Sequence, residues 1–293
     1  MREALLYEKS GDRKVRCGLC NHRCLIDDKK RGICGVRENR AGKLYSLIYG
    51  KIIAEHIDPI EKKPLYHFMP GSFSLSIATI GCNFKCLHCQ NSDISQINKQ
   101  EIINNKQWGK EKSPKEIIRD ALSGKCPSIS YTYTEPTIFL EFALDCMKLA
   151  KKKGLKNVWV SNGYMTKKVL DLIAPYLDAI NVDLKAFTED FYLNVCGAKL
   201  QPVLDNLIDI KKRGIHLEIT TLIIPEKNDS EKELKQIAVF IKKKLGKDIP
   251  WHVSRFFPHH EFLNMMPTPV EKILRAVEIG KEAGLKFVYA GNV

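Results

Sequence analysis

Three cysteines in Gly81-Cys82-Asn83-Phe84-Lys85-Cys86-Leu87-His88-Cys89-Gln90-Asn91 stand at C-x3-C-x2-C spacing. They follow directly on the alternating apolar run 73–80, which reads as a strand. Three thiolates on one tight loop can bind three irons of a [4Fe–4S] cube and leave the fourth iron without a protein ligand. An open coordination position is the mark of a site built for chemistry rather than structure. A structural zinc would want a fourth ligand close by, which His88 could supply. Three unrelated buried thiols are the remaining reading. Placement in a loop immediately after a strand favours the cube.

A second set precedes it. Cys17-x2-Cys20-x3-Cys24-x9-Cys34 puts four cysteines within 18 residues of a glycine-punctuated segment. Four thiolates are a complete ligand set for a structural zinc or for a second Fe–S cluster, and ligand type alone leaves the two equally open. His22 could replace one thiolate. Seven of the ten cysteines fall in these two motifs, so thiolates in a reducing cytoplasm fit better than disulfides in a secreted protein. Cys126, Cys146 and Cys196 are unclustered; Cys146 reads as helix core, and a lone cysteine such as Cys196 is more often inert than reactive.

The elements that must carry these motifs are legible from periodicity. Runs at 73–80, 127–133, 156–161, 178–184, 215–224, 250–256 and 285–290 are strand candidates, separated by stretches of helical period. Ser113-Pro114-Lys115-Glu116 and Thr268-Pro269-Val270-Glu271 read as helix starts with capping boxes, and Ser230-Glu231-Lys232-Glu233 as the same box without proline. Alternating strands and helices imply a parallel sheet. The expected fold is α/β, a partial TIM barrel of (β/α)6 type, with a doubly wound sheet as the alternative. Residues 1–70 form a cysteine-rich, metal-binding head with a hairpin at 43–60 and a proline-rich loop; residues 71–293 form the barrel.

A chain of 293 residues with 44% hydrophobic residues can bury a sizeable core. The apolar runs are too short to span a membrane, and Met1-Arg2-Glu3-Ala4 has no signal-peptide core. The net charge of +13 suggests a nucleic-acid partner, but its placement argues against one. Lys151-Lys152-Lys153-Gly154, Lys211-Lys212-Arg213-Gly214 and Lys242-Lys243-Lys244-Leu245-Gly246 each close a helical segment ahead of a strand. Cations there complement the helix dipole and glycine supplies the left-handed residue that ends the helix.

Functional side chains of parallel barrels come from the C-terminal ends of strands. Those ends carry Thr134-Glu135-Pro136, where Thr134 could cap a helix and Glu135 bind a cationic amino group; Ser161-Asn162-Gly163, a polar turn; Asp183 and Lys185, two apart on one face; Thr220-Thr221; and Trp251-His252-Val253-Ser254-Arg255, suited to stacking on an adenine. Asp183 and Lys185 could simply pair with each other or could bind a zwitterion.

The cysteine loop, Asp58-Pro59-Ile60-Glu61-Lys62-Lys63-Pro64-Leu65-Tyr66-His67-Phe68, Tyr131-Thr132-Tyr133-Thr134-Glu135-Pro136-Thr137 and Cys17-Gly18-Leu19-Cys20 together resemble the AmmeMemoRadiSam-system members of the radical S-adenosylmethionine (SAM) superfamily, which are similar to pyruvate formate-lyase activating enzymes. The resemblance covers nearly the whole chain. It implies an oxidoreductase in which Cys82, Cys86 and Cys89 ligate a [4Fe–4S] cluster whose open iron chelates SAM. One electron then cleaves SAM to a 5′-deoxyadenosyl radical that abstracts hydrogen from substrate, for activating enzymes a glycyl residue of a partner protein. Glu135 is implied near the SAM amino group, Asn162 near the ribose and carboxylate, Asp183 and Lys185 as the Asp-x-Lys beside SAM, and His252 near the ribose or adenine. Phe84, His88, Thr134, Ser161 and Thr220 are expected to line the cofactor, and Lys185 to share in catalysis.

A reductant such as ferredoxin or flavodoxin is implied, with no membrane and no nucleic acid. Two departures stand out. The Cys17–Cys34 head lies before the barrel, whereas many activators insert extra clusters after the SAM-cluster loop. The chain ends at Ala290-Gly291-Asn292-Val293 without the short cysteine-containing segment the resemblance implies. The rival from another class is an Fe–S or zinc electron-transfer or scaffold protein without SAM chemistry.

Overall fold

The computed structural model describes residues 1–96 and 108–293. Its centre is an eight-stranded sheet. β1 (Ala54–Pro59) is an edge strand antiparallel to β2 (Phe73–Ala78). From β2 the strands run parallel and in chain order: β3 (Ser128–Tyr131), β4 (Lys156–Ser161), β5 (Ala179–Asp183), β6 (His216–Ile223), β7 (Trp251–Arg255) and β8 (Val288–Gly291). Unbroken chain order is what a barrel requires; a doubly wound sheet would reverse direction partway. β8 and β1 are not paired, so the barrel is partial.

Among the described residues, six helices of seven residues or more fill the crossovers: α1 (Pro114–Ser123), α2 (Leu140–Lys152), α3 (Lys167–Ile173), α4 (Gln201–Lys212), α5 (Glu231–Phe240) and α6 (Val270–Glu282). The (β/α)6 expectation is met, with β8 as a further parallel strand at the open edge. β3 is buried along its whole length, as befits a strand covered on both faces. The three lysine-rich junctions end their helical segments at Gly154, Gly214 and Gly246, all at positive φ. None of the helices is long and apolar enough to cross a membrane among the described residues.

Three local expectations are corrected. The hairpin at 43–60 does not form. Lys43–Ser46 pairs with Arg37–Arg40 in a head sheet, Lys51–Ile52 pairs with Lys110–Glu111, and β1 joins the barrel. The barrel sheet therefore reaches back past residue 70. Thr268 is no N-cap: its hydroxyl donates to Ile223 O at 2.5 Å and accepts from Phe256 N, and Pro269 occupies the cap position of α6. Ser230 caps α5, but the Glu233 carboxylate accepts from Phe187 N at 2.6 Å instead of closing the box. The box of Ser113 and Glu116 is complete.

The segment after β1 fills the barrel from within. Asn181 Nδ2 donates to Pro64 O at 2.8 Å, and the N–H groups of Tyr66 and His67 donate to the two oxygens of Glu218 at 3.0 and 2.8 Å. Ile60, Leu65 and Phe68 pack against Val158 and Ala179. The polar inward positions of β5 and β6 thus have a partner in the chain itself, which keeps their buried groups satisfied.

Candidate active site

The cysteine loop is clamped from several directions. Lys85 N and Leu87 N donate to Cys196 O and Val195 O at 2.8 and 3.0 Å; Glu261 N donates to Leu87 O at 2.9 Å; Gly81 N donates to Ile94 O at 2.8 Å. His22 Nε2 lies 2.8 Å from Asn83 O. Gly81, at φ +92°, is required here, because a Cβ would lie 2.8 Å from Val36 Cγ1 and 2.9 Å from Cys34 O. Cys86 is buried, and a hydrogen bond with Cys196 together with burial pushes its thiol well up from the ordinary value. Iron binding at this loop must therefore displace protons.

Above the barrel plug lies a cavity of about 480 Å³, lined by the three cysteines and by the ends of β3 to β7, a volume suited to a cofactor-sized ligand. Phe84, His88, Thr134, Glu135, Ser161, Asn162, Asp183, Lys185 and Thr220 all line it. His252 does not: it lies one inward position below Ser254, which does line the cavity, and its Nε2 is held 2.7 Å from Glu218. The sequence reading missed Lys62, Lys63 and Asn292 on the wall; Tyr133 and Ser254, from the quoted Tyr131–Thr137 and Trp251–Arg255 segments, line it too. The signal for the lysines was the Pro-rich loop with charges next to aromatics, whose inward course only the structure reveals.

Glu135 is the best-bonded carboxylate of the site. Its Oε1 accepts from Thr137 N (3.0 Å), Thr137 Oγ1 (2.5 Å) and Ser161 Oγ (2.9 Å), and Oε2 from Asn162 N (2.8 Å). Burial still raises its pKa over these bonds. Glu135, not Thr134, is the cap of the turn that follows; Thr134 Oγ1 donates to Thr79 O instead. Asn162 Nδ2 donates to Asn83 Oδ1, and Tyr164 N returns to Asn162 Oδ1 in the expected polar turn. Lys185 Nζ pairs with Asp183 Oδ2 at 3.0 Å. Burial works against the Lys185 charge, but Asp183 and the neighbouring sulfurs of Cys86 and Cys196 hold its pKa well above the usual value.

Lys63 is almost fully buried and pairs with Asp58 at 2.6 Å, with its ammonium 4.5 Å from the centre of the Tyr133 ring. Tyr133 itself sits at φ +62° and donates its hydroxyl to Asp58. A bulky residue in the left-handed region at a cavity wall is the kind of strain found at functional sites.

Among the described residues, His88 Nδ1 and Asn83 Nδ2, two buried polar atoms beside the cysteines, have no partner. Burial, with the Lys185 charge nearby, lowers the His88 pKa to about 3, so the ring is neutral. Three thiols, a zwitterion-like Asp183–Lys185 pair and an unpartnered neutral imidazole on one wall fit a polar, charged occupant.

In the head, Tyr7–Lys9, Val15–Cys17 and Leu25–Ile26 form one small sheet and Arg2–Glu3, Lys43–Ser46 and Arg37–Arg40 another. Cys17, Cys20, Cys24 and Cys34 line one enclosed, mostly apolar pocket with Arg37. The head grips the barrel through Arg37, bidentate to Glu141 of α2, and through Thr166, which donates its N–H to Leu19 O and its hydroxyl to Gly18 O.

The radical SAM superfamily model matches residues 76–238. An uncharacterized protein of Methanocaldococcus jannaschii is 46% identical over 100% of this chain and 86% of its own length. A pyruvate formate-lyase-activating enzyme of Clostridium pasteurianum is 24% identical over 55% of this chain and 66% of its own. Among solved structures, Streptococcus suis SuiB bound to S-adenosylmethionine aligns at TM-score 0.57 and 14% identity, over 75% of this chain and 50% of that one, a likeness of fold. With C-x3-C-x2-C at the mouth of a partial barrel and a family match across more than half its length, this chain belongs to the radical SAM superfamily.

Proposed function

We propose that this chain is a radical SAM enzyme of the activating kind, abstracting a hydrogen atom from a glycyl residue of a partner protein. The carrying observation is that Cys82, Cys86 and Cys89 share one cavity with Glu135, Asn162, Asp183 and Lys185. An electron carrier or scaffold has no use for such a cavity. Cys82, Cys86 and Cys89 would hold a [4Fe–4S] cluster and the strand ends would hold SAM. When bound, the two supply one-electron cleavage of a sulfonium, and with it the power to abstract hydrogen.

The chain's own residues do the positioning. Asp183 and Lys185 offer a carboxylate and an ammonium to the two charges of an amino-acid zwitterion. The Glu135–Asn162–Asn83 chain of hydrogen bonds fixes the strand ends against the cysteine loop. His88 Nδ1, unpartnered among the described residues, would hydrogen-bond the occupant. The backbone hydrogen bonds with Val195, Cys196 and Glu261 hold the cysteine loop in place. The reductant is a one-electron donor of ferredoxin or flavodoxin type. The relatives named as activating enzymes support the glycyl target.

The test is anaerobic reconstitution with iron and sulfide, reduction, addition of SAM and quantification of 5′-deoxyadenosine, with Cys86→Ala as control. Formation in the wild type alone supports the enzyme. A reduced, intact cluster that leaves SAM uncleaved, with and without host extract, overturns it. Extract proteins labelled with deuterated glycine should transfer deuterium to 5′-deoxyadenosine; transfer only from other labelled residues removes the glycyl target.

A further inference from the structure

We infer that Lys62 and Lys63 form a carboxylate-binding subsite in the cavity, so that the substrate presents an acidic group near the hydrogen that is removed. That the acidic group belongs to a partner protein rests on the function proposed above; the anion site itself does not. The two lysines share one counter-ion. Lys62 Nζ lies 2.8 Å from Asp58 Oδ1 and Lys63 Nζ 2.6 Å from Asp58 Oδ2, and Asp58 also accepts from the Tyr133 hydroxyl. Among the described residues neither lysine has a second carboxylate within ion-pair distance. Two ammoniums against one carboxylate leave one positive charge over. An ammonium carries three donors, and each lysine gives one to Asp58; Lys63 adds a long contact of 3.5 Å to the Tyr133 hydroxyl.

Burial makes the surplus count. Lys63 is 1% exposed and Asp58 4%. A charge kept from water is costly unless it is paired and hydrogen-bonded, so an anion that enters the cavity relieves that cost. Lys62 is the reverse, with its side chain 62% exposed. Both line the cavity. The exposed ammonium draws a carboxylate in from solvent, and the dry one behind it holds the group inside.

The place suits a substrate rather than the cofactor. Asp183 and Lys185 stand at the end of β5, and Lys185 feels the sulfur of Cys86, so that pair adjoins the cysteine loop. Lys62 and Lys63 follow β1, the edge strand that β8 leaves unpaired, and Asn292, just past β8, lines the same cavity. Tyr133 joins this end to the cysteines. Its carbonyl accepts from Asn91 Nδ2, two residues past Cys89, at 2.8 Å. Its ring lies against the Lys63 ammonium, 4.5 Å from ring centre to Nζ, from a left-handed backbone at φ +62°. One strained residue thus fixes the anion end of the cavity to the loop that carries the chemistry.

The experiment measures binding, not turnover. The full chain, reconstituted anaerobically with iron and sulfide, is titrated calorimetrically with acetylglycylglycine and with its neutral amide, in the presence and absence of SAM. The acid should bind about tenfold more tightly than the amide. Lys62→Met should remove most of that preference and Lys63→Met all of it. Asp58→Asn should move it the other way and tighten the acid severalfold, because both ammoniums then lose their counter-ion; lysines that merely prop the turn after β1 would give weaker binding in all three variants. If Lys63→Met fails to fold, the exposed Lys62→Met and Asp58→Asn still decide by their opposite signs. Equal binding of acid and amide, or no binding of either, overturns the inference. So does competition between SAM and the acid, which would give the lysines to the cofactor. Inorganic phosphate held more tightly than the acid by the same lysines removes the carboxylate. If the acid binds as expected while SAM is never cleaved, the function proposed above falls and this subsite stands.

Discussion

Asn162 Nδ2 donates to Asn83 Oδ1 at 2.8 Å, so one buried amide pair fastens the end of β4 to the cysteine loop. Asn162→Ala strips Asn83, whose own Nδ2 already lacks a partner among the described residues. An unsatisfied buried polar group costs about 1–3 kcal/mol. The variant should melt lower and bind SAM about tenfold more weakly, with iron content near wild type. Calorimetric titration beside iron analysis checks it; iron lost in parallel with binding would make Asn162 a support of the loop alone.

Lys185→Met leaves Asp183 on the cavity wall without its ammonium, although both remain partly solvated. Loss of a charge-assisted contact to a zwitterion should weaken SAM binding about 10- to 100-fold. Asp183→Asn should weaken it by a similar factor, and the double variant by less than the product of the two. A double-mutant cycle on SAM affinity measures this coupling. Strict additivity would mean that the pair does not act as a unit.

Arg37 and Glu141 tie head to barrel through a nearly dry ion pair with side chains 1% and 2% exposed. Removing one partner of such a pair costs about 3–5 kcal/mol, because the other charge stays buried. Glu141→Gln should therefore lower the denaturation midpoint strongly, more than Glu8→Gln, whose pair with Lys168 is exposed. Denaturant unfolding of the metal-free chains compares them.

Glu218 carries the acid dependence of the barrel plug. Burial raises its pKa, but His216, His252 and the N–H groups of Tyr66 and His67 outweigh this and bring it down to about 2. A carboxylate with a depressed folded value stabilises above its unfolded pKa, about 4.3, and loses that contribution as pH falls through the folded value. Wild type should exceed Glu218→Gln by roughly 2 kcal/mol near pH 7, and the gap should close between about pH 4 and pH 2. Urea titrations of the metal-free proteins measure the gap; a constant difference across that window would show that Glu218 is not charged in the fold.

Much of the site was readable because its chemistry is local. Cys82, Cys86 and Cys89 lie on one loop, and Asp183 and Lys185 share a face by the two-residue period of a strand. Lys62 and Lys63 were missed because their placement is non-local: the plug turns inward only to meet Asn181 and Glu218, more than a hundred residues on. His252 was misplaced for the same reason. Strand period gave it the inward face but not its depth, and depth is fixed by Glu218. Thr268 carried a sound local helix-start pattern that tertiary bonds to Ile223 and Phe256 overrode.

The plug also constrains how the chain can be made. Its backbone donors at Tyr66 and His67 belong to Glu218, 152 and 151 positions later. On a ribosome, Ile60–Phe68 emerges long before β5 and β6 exist to receive it. The early segment must wait, its apolar residues uncovered, until the C-terminal half arrives. Contacts of such sequence separation slow folding and prolong the aggregation-prone interval. The interior of this barrel is therefore completed late, from a piece that was translated early.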